Sequence, residues 1–262
     1  SAWRAGRRRP EARGGPPAAL AARAMCQALV GKCFKILGGN YADRHQFVIF
    51  GLEGAGKTTL MYRLKIGRDW EGMHYDLENM KQEKIGAANA KNEDYYLGYH
   101  YEEFSMCANC GIWDVPGGVS FRPAWRMFYN TLQIHGVFFV VNAADKSEDK
   151  IREARKQLGI LMHEENLRKS VFAVIINVRK PKHHNTKAQH EHTEEVYDVK
   201  EDILFYKLGL HQLDDECKWR VKHFIINCDE LDTETDRKWE LVHQHLKQVL
   251  SDPKGYGHQF KS

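Results

Sequence analysis

Gly51-Leu52-Glu53-Gly54-Ala55-Gly56-Lys57-Thr58 is the stretch whose reading decides the fold. Ahead of it, Phe47-Val48-Ile49-Phe50 reads as a buried strand. Behind it, Leu60, Leu64 and Ile66 begin a helix-like spacing. A strand, a glycine-rich turn and a helix, in that order, form the context in which this pattern binds phosphate. The glycines let backbone N–H groups curl around phosphate oxygens. Lys57 supplies a point charge, and Thr58 offers a hydroxyl to Mg2+.

A second motif follows at the end of another apolar segment. Ile112-Trp113-Asp114-Val115-Pro116-Gly117-Gly118 is followed closely by Arg122-Pro123-Ala124-Trp125-Arg126. With Phe138–Asn142 as the next strand, and Glu164–Lys169 leading into a strand over Val171–Ile176, these residues resemble the Arf and Arf-like branch of small GTPases. That branch carries a Trp-Asp-x-x-Gly motif followed by Arg-Pro-x-Trp. The resemblance runs from about Met25 to about Leu250. It implies an α/β P-loop small-GTPase fold, with a mostly parallel six-stranded sheet and helices on both faces. It also implies phosphate contacts from Glu53, Gly54, Ala55, Gly56, Lys57, Thr58, Thr59 and Gly117. Mg2+ would be held by Thr58 and, through water, by Asp114, with GTP or GDP as the nucleotide.

Other positions depart from the family pattern. The first switch of the family carries a threonine in Pro-Thr-Ile-Gly-Phe. The best match here is Tyr95-Tyr96-Leu97-Gly98-Tyr99, which puts Tyr96 in its place. The glutamine that orients the attacking water falls on Gly118, which has no side chain to do so. The Asn-Lys-x-Asp that reads guanine becomes Asn177-Val178-Arg179-Lys180, so a donor-only ammonium replaces the accepting carboxylate. The last base loop aligns with Asn227-Cys228-Asp229. Asn177, Cys228 and Asp229 are therefore the base-side residues the resemblance leaves, and ATP or an empty site stays open beside GTP and GDP. Asp229 or Asp232 standing in for the missing acceptor is the alternative that keeps guanine.

Composition bounds the rest. A chain of 262 residues with 42% hydrophobic content can build one good α/β core. No apolar run approaches the ~18–20 residues of a membrane span. Residues 1–24 hold six arginines and one acid, so they account for +5 of the net charge of +4. The remaining 33 basic and 34 acidic residues come to −1. No basic stripe argues for nucleic acid. The leader resembles a mitochondrial or plastid targeting segment in composition, which makes the mitochondrion the expected location and the cytoplasm, peripheral to internal membranes, the alternative. A disordered extension with Met25 as the true start is its bland reading.

The expected organisation is a leader over 1–24, an amphipathic helix over 25–40, the GTPase-fold domain over 41–250 and a polar tail over 251–262. Insertions are expected near 73–95 and 183–195. The apolar face of residues 25–37 is a possible membrane contact, although Cys26 stands where the family often has a myristoylated glycine. Disulfides are not expected from the six scattered cysteines. Cys107-x-x-Cys110 is half a zinc site without a second pair, and the histidines over 183–192 read as a metal tract or a solvated loop.

Two functions follow from this pattern. One is a degenerate Arf-like protein that keeps phosphate binding, has largely lost hydrolysis and switching, and serves as a structural or adaptor subunit among protein partners. The other is an active Arf-like GTP-binding switch regulating membrane or organelle traffic.

Overall fold

The computed structural model describes residues 44–67, 100–105, 109–178, 201–252 and 254–255. The leader, the helix expected over 25–40, the insertions near 73–95 and 183–195, Tyr96, Lys180 and the end of the tail lie outside them. In chain order the described elements are β1 (His45–Phe50), α1 (Lys57–Ile66), β2 (His100–Ser105), β3 (Asn109–Asp114), α2 (Trp125–Thr131), β4 (Gly136–Asn142) and α3 (Glu148–Met162). They continue with β5 (Val171–Asn177), α4 (Glu201–Lys207), α5 (Asp215–Lys218), β6 (Val221–Ile226) and α6 (Arg237–Leu250).

The strands form one sheet in the order β2-β3-β1-β4-β5-β6, antiparallel between β2 and β3 and parallel elsewhere. Continuous apolar runs explain this. Phe47 to Phe50 are all fully buried, so both faces of β1 need covers. Phe47 and Ile49 point to one side, into a cluster with Leu60 and Met61 of α1 and Trp239, Val242 and Leu246 of α6. Val48 and Phe50 point to the other side, against Trp125 and Phe128 of α2 and Ala154, Leu158 and Leu161 of α3. The expected fold is the observed one: a mostly parallel six-stranded sheet with helices on both faces.

The apolar spacing predicts helices over Ile151–Met162 and Trp239–Leu250, the second with Leu241, Val242, Leu246, Val249 and Leu250 on its apolar face, and a last strand over Phe224–Ile226. The observed boundaries differ. Helix α3 begins at Glu148 rather than Ile151, because Ser147 caps it and accepts from the amide of Lys150. Helix α6 begins at Arg237, capped by Asp236. Leu241, expected on its apolar face, is exposed instead, and His245 takes a buried position beside Leu246. Strand β6 starts at Val221, three residues ahead of the expected Phe224. Cys110, Cys217 and Cys228 are buried. Cys107, and so the Cys107–Cys110 pair, lies outside the described residues. No described helix is long and apolar enough to cross a membrane.

At the sheet end where β1 and β4 begin, His135 is almost wholly buried, and its Nδ1 accepts from the amide of Gln46 at 3.0 Å. Burial, with His45 edge-on at 4.9 Å between ring centroids, holds its pKa down to about 4. Above about pH 6.5 the ring is neutral in both folded and unfolded chains. As pH falls from there toward 4, the unfolded chain takes up the proton that the folded ring refuses, so stability is lost across that window. His45, His243 and His245, all pushed down by burial, add to the same trend. Urea unfolding at pH 7.5 and pH 4.5 should differ by about 2–3 kcal/mol from His135 alone. His135→Gln should flatten the dependence, and an unchanged slope in that variant would refute the assignment.

Candidate functional site

Gly51 leaves β1 with φ of 147°, and a Cβ there would overlap the carbonyl oxygen of Val140 in β4. Gly117, three residues past β3, lies as close to the turn: its Cβ would run into Gly51 O and stand 2.7 Å from the amide nitrogen of Glu53. Only glycine fits either place. The turn is thus wedged between two strands' worth of backbone, and Gly54 and Gly56 complete it at φ of 75° and 99°.

The turn opens onto the N-terminus of α1. That helix has Gly56 at its N-cap, makes no side-chain capping bond and carries no acid in its first turn. Its leading N–H groups and the positive end of its dipole are therefore offered to an anion without a protein group competing for them. A Cβ at Gly54 would meet nothing within 4 Å, so the mouth of the loop is open.

Lys57 is buried and donates to the carbonyl oxygen of Leu52 at 2.9 Å, which folds its ammonium back over the loop. Burial lowers its pKa, opposed by the nearby carboxylates of Asp114 and Glu53. The Thr58 hydroxyl donates to Oδ2 of Asp114 at 2.6 Å. Two oxygen donors so placed at the loop's edge suit a hard divalent cation such as Mg2+. Thr59 is buried behind them. The fold thus brings together the whole expected phosphate and cation set: Glu53 to Thr59, Asp114 and Gly117.

The base side is built differently. Asn177 is fully buried: its Nδ2 donates to the carbonyl of Ala55 and its Oδ1 accepts from the amide of Cys228, both at 3.0 Å. It is a strut joining the phosphate loop to the turn after β6. The Cys228 side chain lies in the core beside Leu231 and Trp239 rather than facing a ligand. In this structure both expected base-side residues are thus turned toward protein partners. Asp229 is half-buried, its amide donates to Asn227 Oδ1, and it remains the acid of that turn.

The segment after β3 holds two contacts that sequence reading missed. Trp125 Nε1 donates to the carbonyl of Pro116 at 2.8 Å, and the Arg122 guanidinium pairs with Glu153 on α3. Arg122 therefore points away from the phosphate loop into an ion pair. Gly118 leaves its position open. A Cβ there would sit at ordinary contact, 3.5 Å from Phe121 and 3.6 Å from the Glu53 carboxylate.

Comparison with known proteins agrees with this geometry. The family model of the ADP-ribosylation factor family matches residues 31–207. Among curated proteins, the chain is 32% identical over 144 residues to ADP-ribosylation factor-like protein 1 of Saccharomyces cerevisiae, covering 55% of this chain and 64% of that one. It is 30% identical over 136 residues to ADP-ribosylation factor-like protein 1 of Caenorhabditis elegans, covering 52% and 62%. The matched part is thus a little under two thirds of each relative's length.

Lys57→Ala tests the site. Loss of a buried charged donor should weaken retention of any bound nucleoside triphosphate by about 100-fold or more. Competition titrations on the wild-type chain should give a GTP-over-ATP preference below about 10⁴, the scale a hydrogen-bonding base pocket reaches. A larger preference would mean that the base is read after all.

Proposed function

This chain belongs to the ADP-ribosylation factor family, and within that family we propose that it holds a nucleotide through its phosphates, hydrolyses it negligibly, and serves as a structural or adaptor subunit of a larger assembly. The observation that carries this reading is Gly118. It stands where the family's glutamine orients the attacking water, and no side chain replaces it from the same position. Phosphoryl transfer to water depends on such positioning and on charge stabilisation, so its loss removes most of the intrinsic rate. Arg122 does not compensate, being held by Glu153.

Loss of switching is supported by residues that tie the responding segments down. Trp125 holds Pro116, and Arg122 holds α3. On the other flank, Tyr62 Oη of α1 lies 3.2 Å from His100 Nδ1 of β2, and Lys65 pairs with Glu102. Tyr96 in place of the switch threonine trades a short hydroxyl beside the backbone for a phenol at the far end of a ring, out of place for sensing a γ-phosphate. The insertions near 73–95 and 183–195 are the proposed partner-binding elements. A cycling GTP switch is the second reading, favoured by one specific observation: Thr58 and Asp114 are paired where Mg2+ belongs, beside an uncapped helix.

Two measurements separate them. In single turnover with γ-labelled GTP and Mg2+, phosphate release should stay below about 10⁻⁴ s⁻¹, slower than an unassisted small GTPase. Gly118→Gln, whose side chain has room, should raise it about tenfold or more. Fast release by the wild type would favour the switch. The protein drawn from its source under native conditions should migrate within a complex, and migration as a lone monomer would sink the adaptor role.

A further inference from the structure

His163, Asp214 and Cys217 meet at the end of the sheet opposite the phosphate loop. His163 follows α3 just ahead of β5, whereas Asp214 and Cys217 precede β6. Both strands run parallel to β1, whose far end carries the loop. The ligand atoms of the three side chains all lie within 4.8 Å of one another.

The histidine's hydrogen bonds orient its ring. Its Nδ1 is 2.9 Å from the carbonyl oxygen of Gly159, which can only accept, so Nδ1 carries a proton. Its Nε2 then faces Oδ2 of Asp214 at 3.2 Å. A neutral imidazole in this tautomer sets its Nε2 lone pair beside the Asp214 carboxylate, two donor atoms aimed at one point. A ring whose other nitrogen donates to a backbone carbonyl is the form that metal-ligating histidines take.

The remaining groups are held in place by the fold. Asp214 caps α5 through Oδ1, which accepts from the amide of Cys217 at 2.8 Å, and this turns Oδ2 toward His163. Cys217 is fixed on the first turn of that helix with its sulfur buried. His163 closes α3, where the carbonyl end of the helix dipole favours positive charge. Arg220 opposes a cation, but its guanidinium is already shared among the carbonyls of Met162, Leu167 and Ser170. Its N–H lies 3.7 Å from Sγ, but burial outweighs that charge and pushes the Cys217 thiol up to about 11. Sγ donates to the carbonyl of Met162, so a metal ion must displace that proton.

We propose that His163, Asp214 and Cys217 are three ligands of a structural zinc site that staples the end of α3 to the turn before β6, with water in the fourth position. One nitrogen, one carboxylate oxygen and one thiolate select Zn2+ over Mg2+ or Ca2+. Bonds of about 2.0–2.3 Å place tetrahedral ligands about 3.3–3.8 Å apart, so the set closes with a movement of about 1 Å. The exposed His163 ring is free to supply it, with its side chain 62% accessible.

The test uses the full chain, with Co2+ as a spectroscopic probe and Zn2+ as the competitor. Wild type should show a near-ultraviolet thiolate-to-cobalt band that Zn2+ abolishes. Cys217→Ser should lose the band, and His163→Gln should weaken Co2+ binding at least tenfold. Zn2+ should raise the melting temperature of wild type but not that of His163→Gln, an exposed change that leaves the buried core untouched. Both variants keep the other histidines and Cys107-x-x-Cys110, so binding there would appear equally in all three proteins. Absence of the band from wild type, its persistence in Cys217→Ser, or an equal zinc shift in wild type and His163→Gln would each overturn the proposal.

Discussion

Backbone pressed on backbone at Gly51 and Gly117 is the constraint on which the site depends. With Gly51 against Val140 of β4, and Gly117 against Gly51 and Glu53, three chain segments come closer than any side chain allows. That stack fixes the start of α1 relative to the end of β3, and so the distance between Thr58 and Asp114. It also turns Lys57 back onto Leu52. An alanine at either glycine would displace the whole phosphate cradle.

The two halves of the site differ in what builds them. The phosphate half is made of turn backbone, a helix terminus and residues braced by the central strands, so it holds its shape unaided. The base half relies on side chains at the end of β5 and in the turn after β6. There the surviving family residue, Asn177, works inward as a strut to Ala55 and Cys228. A chain can thus keep the scaffold of a nucleotide site while the groups that distinguish one base from another change. The family supplies the fold, and the local chemistry decides how much of the family activity remains.

The fold was legible because its signals were redundant. Continuous apolar strands, the Gly51–Thr58 turn and the Trp113-Asp114 motif all implied the same parallel sheet. The phosphate residues were legible for the same reason, since glycines and Lys57 act through local geometry. Other features depend on pairs distant in sequence. Arg122 with Glu153, Asn177 with Ala55, and His163 with Asp214 are 31, 122 and 51 positions apart, and nothing local marks either partner. Leu241 misled for a physical reason: apolar residues also occupy exposed helix positions, whereas His245 was buried by its bond to the carbonyl of Phe172.

The Arg122–Glu153 pair also has a kinetic meaning. To leave α3, the segment after β3 must strip a mostly buried guanidinium of its carboxylate, at about 1.5–3 kcal/mol for a charged hydrogen bond. That cuts the open population by roughly 10- to 100-fold before any ligand is considered. Whatever displaces this segment must first pull that pair apart, so the ion pair sets a toll on any rearrangement between β3 and α3.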